Sequence, residues 1–130
     1  MFDKKNEKLE SIIGSNTLIN GDITTKGTLR VDGRITGDVE TDWLILGEKA
    51  FLKGNVKVAG VAVAGYLEGN VSAKEIIELK RTGQVRGDVT TNKLVVIEGG
   101  TVDGKISMQQ KEGGKVVELT QEVRNEANRL

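Results

Sequence analysis

Side chains that could ligate an ion or activate a substrate recur in one column of the sequence. Each follows a glycine in a short repeated phrase, and the column reads Asp22, Asp38, Asn55, Asn70, Asp88 and Lys105. Carboxylate and amide oxygens at regular spacing are typical of calcium sites. Two members are amides, the last is a lysine, and the calcium-binding repeat G-G-x-G-x-D is missing. We therefore predict no metal site and expect these side chains to face water.

The composition excludes most catalytic chemistry. The chain has no histidine and no cysteine, so triads with an imidazole base, thiol nucleophiles, disulfides and the usual zinc sites are excluded. Cleavage of a polysaccharide would need two carboxylates in a substrate groove. Aromatic platforms usually line such grooves, whereas aromatics are 3% of the residues. We predict no catalytic residues and no cofactor, and keep a small polysaccharide-active enzyme as the weaker alternative.

Charge and motif content narrow the choice of partners. Nineteen basic side chains balance nineteen acidic ones, and a protein that neutralises nucleic-acid phosphates needs a basic surplus. The phosphate-binding motif G-x-x-x-x-G-K-[ST] does not occur in the sequence, so we expect neither nucleic acid nor nucleotide as a partner. The first ten residues hold no apolar run of the kind that a secretory signal needs, which favours a cytoplasmic protein.

An internal repeat must position all of these side chains. Its phrase is an aliphatic residue, any residue, glycine, then Asp, Asn or Lys, and a second aliphatic residue. The glycines of the six copies are Gly21, Gly37, Gly54, Gly69, Gly87 and Gly104, with spacings of 15 to 18 residues. A repeat of this length indicates a coil in which each turn is one structural unit.

Alternation within the repeat indicates strands. From Leu29 to Val39 every odd position is aliphatic or glycine and every even position is polar. About 17 residues at 3.3 Å each form a triangular turn with short strands as its sides. We predict an all-β fold, a right-handed parallel β-helix of about six rungs with flexible termini. The inward side chains should include Ile35, Val39, Leu52, Val56, Leu67, Val71, Val85 and Val89.

A left-handed hexapeptide helix is the alternative coil. It needs an aliphatic residue at every sixth position and 18 residues in each turn. The observed spacings break that register, which favours the right-handed form.

The two tails lack the repeat. We predict a flexible N-terminal tail over residues 1–16, the β-helix over 17–108 and a polar C-terminal tail over 109–130. Apolar residues at helical spacing predict a short amphipathic helix in the C-terminal tail; they are Val116, Leu119, Val123, Ala127 and Leu130. In the N-terminal tail an apolar pair beside two lysines is a candidate membrane contact, and it comprises Met1, Phe2, Lys4 and Lys5.

The open ends of a β-helix expose unpaired N–H and C=O groups around an apolar cross-section. Proteins usually blunt such edges with proline, charge or a cap, and this chain contains no proline. Two uncapped ends that meet would continue one hydrogen-bonded stack. The chain itself is thus the predicted partner, and the predicted polymerisation interface comprises Leu18, Ile19, Ile23, Leu94, Val96, Val102, Ile106 and Met108.

The six phrases, the charged tail that opens Met-Phe and the polar C-terminal tail together resemble the bactofilin family. The resemblance implies a bacterial cytoskeletal protein that polymerises into filaments without nucleotide, through contacts between β-helix ends. It also implies inner-membrane lipid as a partner of the N-terminal tail, and a scaffold for cell-wall or envelope proteins at the inner face of the cell membrane. Family members often carry a phenylalanine in the last rung, whereas residues 102–108 contain none.

A second interpretation stays open at this point. The repeat also fits a β-helical regulator, similar to the C-terminal domain of the Min-system division inhibitor, that dimerises and binds another polymer. Such a protein would form dimers rather than filaments, so electron microscopy of the purified protein separates the two interpretations.

Overall fold

The computed structural model describes residues 9–109 and 116–119, and every regular element in that part of the chain is a β-strand. The strands stack in parallel into a solenoid of about six turns, which confirms the predicted all-β parallel β-helix. The strands are β1 (Leu9–Ile13), β2 (Leu18–Asn20), β3 (Ile23–Thr24), β4 (Thr28–Val31), β5 (Arg34–Thr36), β6 (Val39–Glu40), β7 (Trp43–Leu46), β8 (Phe51–Lys53), β9 (Val56–Val63), β10 (Tyr66–Glu68), β11 (Val71–Leu79), β12 (Gln84–Arg86), β13 (Val89–Thr91), β14 (Leu94–Val96), β15 (Thr101–Asp103), β16 (Ile106–Gln109) and β17 (Val116–Leu119).

Each turn of the solenoid has three sides. Side one consists of β1, β4, β7, residues 60–63 of β9, residues 76–79 of β11, and β14. Side two consists of β2, β5, β8, β10, β12 and β15. Side three consists of β3, β6, residues 56–58 of β9, residues 71–73 of β11, β13 and β16. Equivalent residues of successive turns therefore lie above one another in columns.

The core is a stack of aliphatic columns at the inward positions of the alternating pattern. On side two one column runs through residues that pair turn by turn: Ile19, Ile35, Leu52, Leu67, Val85 and Val102. On side three the matching column is Ile23, Val39, Val56, Val71, Val89 and Ile106. All eight predicted inward residues are at most 2% exposed, so the phase of the repeat is confirmed.

Two of the three corners absorb the variation in turn length. The corner between sides one and two, here the turn corner, takes two residues at Asp32–Gly33 and four at residues 47–50 and 80–83. The corner between sides two and three takes two residues in every turn. We call it the glycine corner, because its first residue is always a glycine.

The N-terminal boundary differs from the predicted one. Residues 9–13 were assigned to a tail by their sequence, but they form β1, which pairs in parallel with β4 and provides side one of the first turn. The segment lacks the repeated phrase, so no local pattern marks it as a strand. Its partner lies about one turn further along the chain, and that pairing decides its structure.

The C-terminal tail also differs from the prediction where the structure describes it. Val116–Leu119 was predicted to begin a helix, but it forms β17, which pairs antiparallel with β16. The free edge of β16 offers backbone hydrogen bonds that a weak amphipathic pattern does not outweigh. Residues 120–130 of the predicted helix lie outside the described residues.

Candidate polymerisation interface

The glycine corner holds the turns in register. Its glycines have φ between +142° and +155°, a range that side chains with a Cβ rarely adopt. From Gly37 onward a Cβ would also overlap the carbonyl group of the corner glycine one turn earlier. Glycine is therefore required at this corner both by its conformation and by the close approach of the neighbouring turn.

The side chain that follows each corner glycine bonds to the next turn. Asp22 Oδ1 accepts a hydrogen bond from the backbone N–H of Asp38 at 2.9 Å, and Asp38 Oδ1 accepts one from Asn55 at 3.0 Å. The same bond recurs to the N–H groups of Asn70, Asp88 and Lys105, at 3.2 to 3.4 Å. We call these five bonds the Asx ladder.

The Asx ladder gives a structural role to side chains that the sequence interpretation placed in water. Each Oδ1 satisfies an N–H group that the glycine corner would otherwise leave to solvent, and the sixth position needs no such oxygen because it lies in the last turn. A signal was present in the sequence, since only residues with an Oδ1 atom fill the first five positions. Within residues 9–109 and 116–119 no cluster of three or more acidic side chains could hold a metal ion.

The N-terminal end of the solenoid, as far as residues 9–109 and 116–119 show it, is open on all three sides. Within the described residues β1, β2 and β3 each pair with one neighbouring strand, so their outer edges lack a strand partner. Leu18 is 62% exposed, and Ile19 and Ile23 are only partly buried. Ile12 on β1 is 61% exposed and was missed because its segment was assigned to the tail.

Among the described residues, the C-terminal end is open on two sides only. Among the described strands β14 pairs with β11 alone and β15 with β12 alone, whereas β16 lies between β13 and β17. Leu94, Val96 and Met108 are partly buried, but Val102 and Ile106 are fully buried. The turn before β15 adds Ile97, which is 42% exposed and was not predicted.

The eight predicted interface residues thus fall into two groups, one at each end of the solenoid. Six of them are accessible at the ends: Leu18, Ile19 and Ile23 at one, and Leu94, Val96 and Met108 at the other. Val102 and Ile106 support the last turn from inside and have no exposed surface to offer. The predicted membrane contact, Met1, Phe2, Lys4 and Lys5, lies outside the described residues.

The flanks of the solenoid carry polar and stacked side chains. On side two the Arg34 guanidinium lies 4.8 Å from the centre of the Phe51 ring, which stacks on Tyr66 at 5.0 Å. Partial burial, and then the hydrogen bond that the hydroxyl donates to Glu68 Oε1, raise the pKa of Tyr66 above its ordinary value. The Phe51 ring is thus held between Arg34 and Tyr66, and one face of Tyr66 is covered by Phe51.

A shallow groove of about 610 Å³ follows side three, between the Asx ladder and a column of exposed polar side chains. The carboxylates of Asp22, Asp38 and Asp88 on one wall each accept a backbone hydrogen bond within the ladder, and Glu40 lies on the opposite wall. The described residues include no helix long and apolar enough to span a membrane.

Comparison with known proteins identifies the family. Residues 11–107 match the family model described as bactofilin, polymer-forming cytoskeletal. The chain belongs to the bactofilin family. The match covers nearly the whole solenoid, from β1 to β16, and confirms the resemblance noted in the sequence. Bactofilins are structural cytoskeletal proteins.

Two curated relatives from Myxococcus xanthus extend this result. The chain is 31% identical to bactofilin BacP over 107 residues, which is 82% of this chain and 45% of BacP. It is 26% identical to bactofilin BacO over 103 residues, which is 78% of this chain and 82% of BacO. The chain thus spans less than half the length of BacP.

Two solved bactofilin structures share the fold. The cryo-EM reconstruction of Thermus thermophilus bactofilin double helical filaments matches with a TM-score of 0.69 and 25% identity, over 75% of this chain and 97% of that one. The solid-state NMR structure of the cytoskeletal bactofilin BacA matches with a TM-score of 0.71 and 29% identity, over 79% of this chain and 98% of that one.

Proposed function

We propose that this bactofilin polymerises through the ends of its solenoid, without nucleotide or metal, and that the filament is a scaffold for cell-wall or envelope proteins at the inner face of the cell membrane. The observation that carries the proposal is the open N-terminal end. Within the part of the chain that the structure describes, three strand edges without a strand partner surround partly exposed aliphatic side chains there. A soluble domain normally covers or charges such edges, so a second copy is the natural cover.

The energetics favour contact between ends. Each 100 Å² of apolar surface removed from water contributes about 2.5 kcal/mol, and backbone hydrogen bonds between strand edges add direction to the contact. The flanks offer less, because outward positions of the second turn carry both signs of charge, as in the Arg30–Asp32 ion pair at 3.0 Å. Association through ends therefore outweighs association through flanks.

Charge placed at an open end tests the proposal. Ile19→Arg alters the N-terminal end and Val96→Arg the C-terminal end, and both positions are partly exposed, so an arginine can reach water. Ser72→Arg is the matched control, because Ser72 is exposed on a middle turn. A charge at Ile106 is unsuitable, since it would bury an unpaired cation and destabilise the fold itself.

Light scattering and negative-stain electron microscopy measure the outcome, with circular dichroism as the folding control. We expect filaments from wild type and from Ser72→Arg without added nucleotide, and shortened or absent filaments from both end variants. The proposal fails if folded end variants polymerise like the control. A wild type that stops at dimers would instead favour the β-helical regulator that binds another polymer.

Membrane association is the second element of the proposal. It rests on the sequence, in which Met1 and Phe2 supply apolar surface and Lys4 and Lys5 can meet anionic headgroups. In co-sedimentation with vesicles that contain phosphatidylglycerol, wild type should be found in the pellet and the combined variant Phe2→Ser, Lys4→Gln, Lys5→Gln in the supernatant. Filament assembly should continue in the variant. Because β1 begins at Leu9, these substitutions leave the first strand unchanged. Equal sedimentation of variant and wild type would remove the membrane contact from the proposal.

Recruitment of cell-wall or envelope proteins is the third element, and its support is the family resemblance alone. A scaffold binds its clients more strongly as a polymer, because many copies are held together. Proximity labelling from wild type and from Ile19→Arg in cells should therefore recover a set of envelope proteins with the first and lose it with the second. Identical recovery would show that assembly has no part in recruitment.

A further inference from the structure

The two ends of the solenoid differ by one strand. The N-terminal end shows three strand edges, whereas β17 lies along one of the three strands at the C-terminal end. We propose that β17 holds the place of a second copy at the C-terminal end, and that copies join through that end only after β17 detaches. This inference rests on the proposed assembly through ends and specifies how one of the two ends is controlled.

The direction of β17 sets it apart from the solenoid. Every other strand pair in the described part of the chain is parallel, whereas β17 runs antiparallel to β16. Its register pairs Ile106 with Leu119, Ser107 with Glu118 and Met108 with Val117. A strand in this direction does not continue the coil, so β17 occupies an edge rather than adding a seventh turn.

β17 lies along the outer edge of β16, where a strand of a second copy would have to pair, so the two compete for that edge. Paired strands lie about 4.8 Å apart, so a turn from a second copy would pair with β14, β15 and β16 at that distance beyond them. On side three β17 already occupies this level. The second copy cannot pair with all three strands while β17 remains bound.

The exposure of inward residues in the last turn does not by itself follow this division. On side one Leu94 and Val96 are only partly buried next to the open edge of β14, whereas on side two Val102 is fully buried although the edge of β15 is equally open. On side three Ile106 is fully buried and Met108 is partly buried. The C-terminal end therefore presents an apolar contact on side one, and the pairing of β16 with β17 is what covers the edge on side three.

The size of β17 is suited to detachment. It has four residues and pairs with one strand among those described, so only a few backbone hydrogen bonds hold it in place. The sequence between β16 and β17 includes Gly113 and Gly114, and glycine gains more chain entropy than other residues when a segment is released. A second copy that pairs with β14, β15 and β16 together can replace it.

A disulfide between β16 and β17 tests the competition in the full chain. The chain has no cysteine, and directly opposed antiparallel residues lie within the distance that a disulfide spans. The double variant Ser107→Cys, Glu118→Cys should link β17 to its edge when oxidised, which electrophoresis without reductant verifies. Ser107→Cys alone, and the reduced double variant, are the controls.

The oxidised lock should raise the critical concentration for filaments about tenfold or more, because a second copy then loses the several strand hydrogen bonds on side three. Reduction should restore the wild-type value. If wild type and the oxidised lock polymerise at the same concentration, the inference is wrong and assembly through ends still stands. If wild type forms no filaments at all, the proposed function itself fails.

A variant that weakens the pairing of β17 with β16 tests the same competition from the opposite direction. Glu118→Pro removes a backbone N–H group from β17 and should weaken its pairing with β16. We expect filaments at a lower concentration than for wild type, whereas the control Asn125→Pro, beyond β17 in the sequence, should leave the concentration unchanged. Weaker assembly of Glu118→Pro would show that β17 is part of the filament contact, and would overturn the inference.

Discussion

The glycine corner and the turn corner lead the same chain around the same coil by different means. The glycine corner uses two residues in all six turns, and its first residue is always glycine with positive φ. The turn corner uses two or four residues, and the position before side two is glycine in four turns but Thr17 or Ala50 in the other two. Backbone hydrogen bonds join neighbouring turns at both corners, and the four-residue turns also close on themselves, as in the bond from Ala50 N–H to the Gly47 carbonyl. The difference shows that the length of the repeat is fixed at the corner whose side chains bond to the next turn, and varies at the corner that can form a closed turn.

An inserted residue should show the largest difference in stability between the two corners. A serine between Gly54 and Asn55 would shift Val56 and the strand after it by one position, which turns inward side chains outward and breaks the Asx ladder. We expect loss of the cooperative unfolding transition. A serine between Glu48 and Lys49, in a four-residue turn, should cost below about 1 kcal/mol. Denaturant unfolding followed by circular dichroism measures both, and similar losses would refute the distinction.

Three glycine-to-alanine substitutions separate the two requirements at the glycine corner. Gly54→Ala violates both requirements, because φ is +155° and the added Cβ would overlap the Gly37 carbonyl. We expect the free energy of unfolding to fall by about 3 kcal/mol or more. Gly21 has a similar positive φ, but an added Cβ would meet no atom within 4 Å. Gly21→Ala should therefore lower the free energy of unfolding by only about 1–2 kcal/mol.

Gly14→Ala, in a four-residue turn with no close contact, completes the series. Its change in the free energy of unfolding should be near zero. Equal losses at Gly21 and Gly54 would show that conformation alone excludes other residues and that the contact between turns has no part.

The two amides in the middle of the Asx ladder should limit charge repulsion. Asn55→Asp with Asn70→Asp would place five carboxylates in one column about 5 Å apart, and each neighbouring pair repels by about 1 kcal/mol in water. We expect a loss of about 1–3 kcal/mol at low ionic strength that shrinks with added salt. Ser72→Asp on the same face is the control for a single added charge. A loss that does not respond to salt would contradict repulsion as its cause.

The smallest expected effect concerns Tyr66, on the strand that leads into the glycine corner. Partial burial, and then the bond to Glu68, raise the pKa of its hydroxyl above the ordinary value of 10.0. The folded state therefore holds this proton longer than the unfolded chain does. Its contribution to stability is complete below pH 10.0 and is lost as the pH rises through the folded pKa.

Absorbance of tyrosinate measures this ionisation directly, because Tyr66 is the only tyrosine in the sequence. Glu68→Gln should lower the midpoint, and Glu75→Gln at an exposed position should leave it unchanged. If both variants titrate like wild type, the hydrogen bond to Glu68 does not contribute to the pKa of Tyr66.

The sequence predicted the features that repeat and missed those that occur once. The alternation from Leu29 to Val39 gave the inward face correctly, because every turn reports the same pattern. β1 and β17 occur once each, and their partners decide their structure: β4 orders Leu9–Ile13, and β16 orders Val116–Leu119. Pairing between distant segments leaves no signal in a local window.

The predicted interface shows the same limit. Leu18 and Leu94 were assigned to the ends from their places in the first and last turns, and both lie there with side chains that are not fully buried. Val102 and Ile106 belong to the last phrase, and both side chains are fully buried, although β17 flanks only the strand of Ile106. A repeat locates the ends of a solenoid, and the packing of the last turn decides which of its side chains reach the surface.

The uniform glycine corner has a consequence for how such a chain can evolve. Each turn offers the next the same glycine carbonyl and, in five positions, the same Oδ1 acceptor. At this corner an inner turn could therefore be duplicated or deleted as a whole without leaving a ladder N–H group unsatisfied. Solenoid length can then change across generations in steps of one turn, while both ends, and whatever they bind, stay as they were.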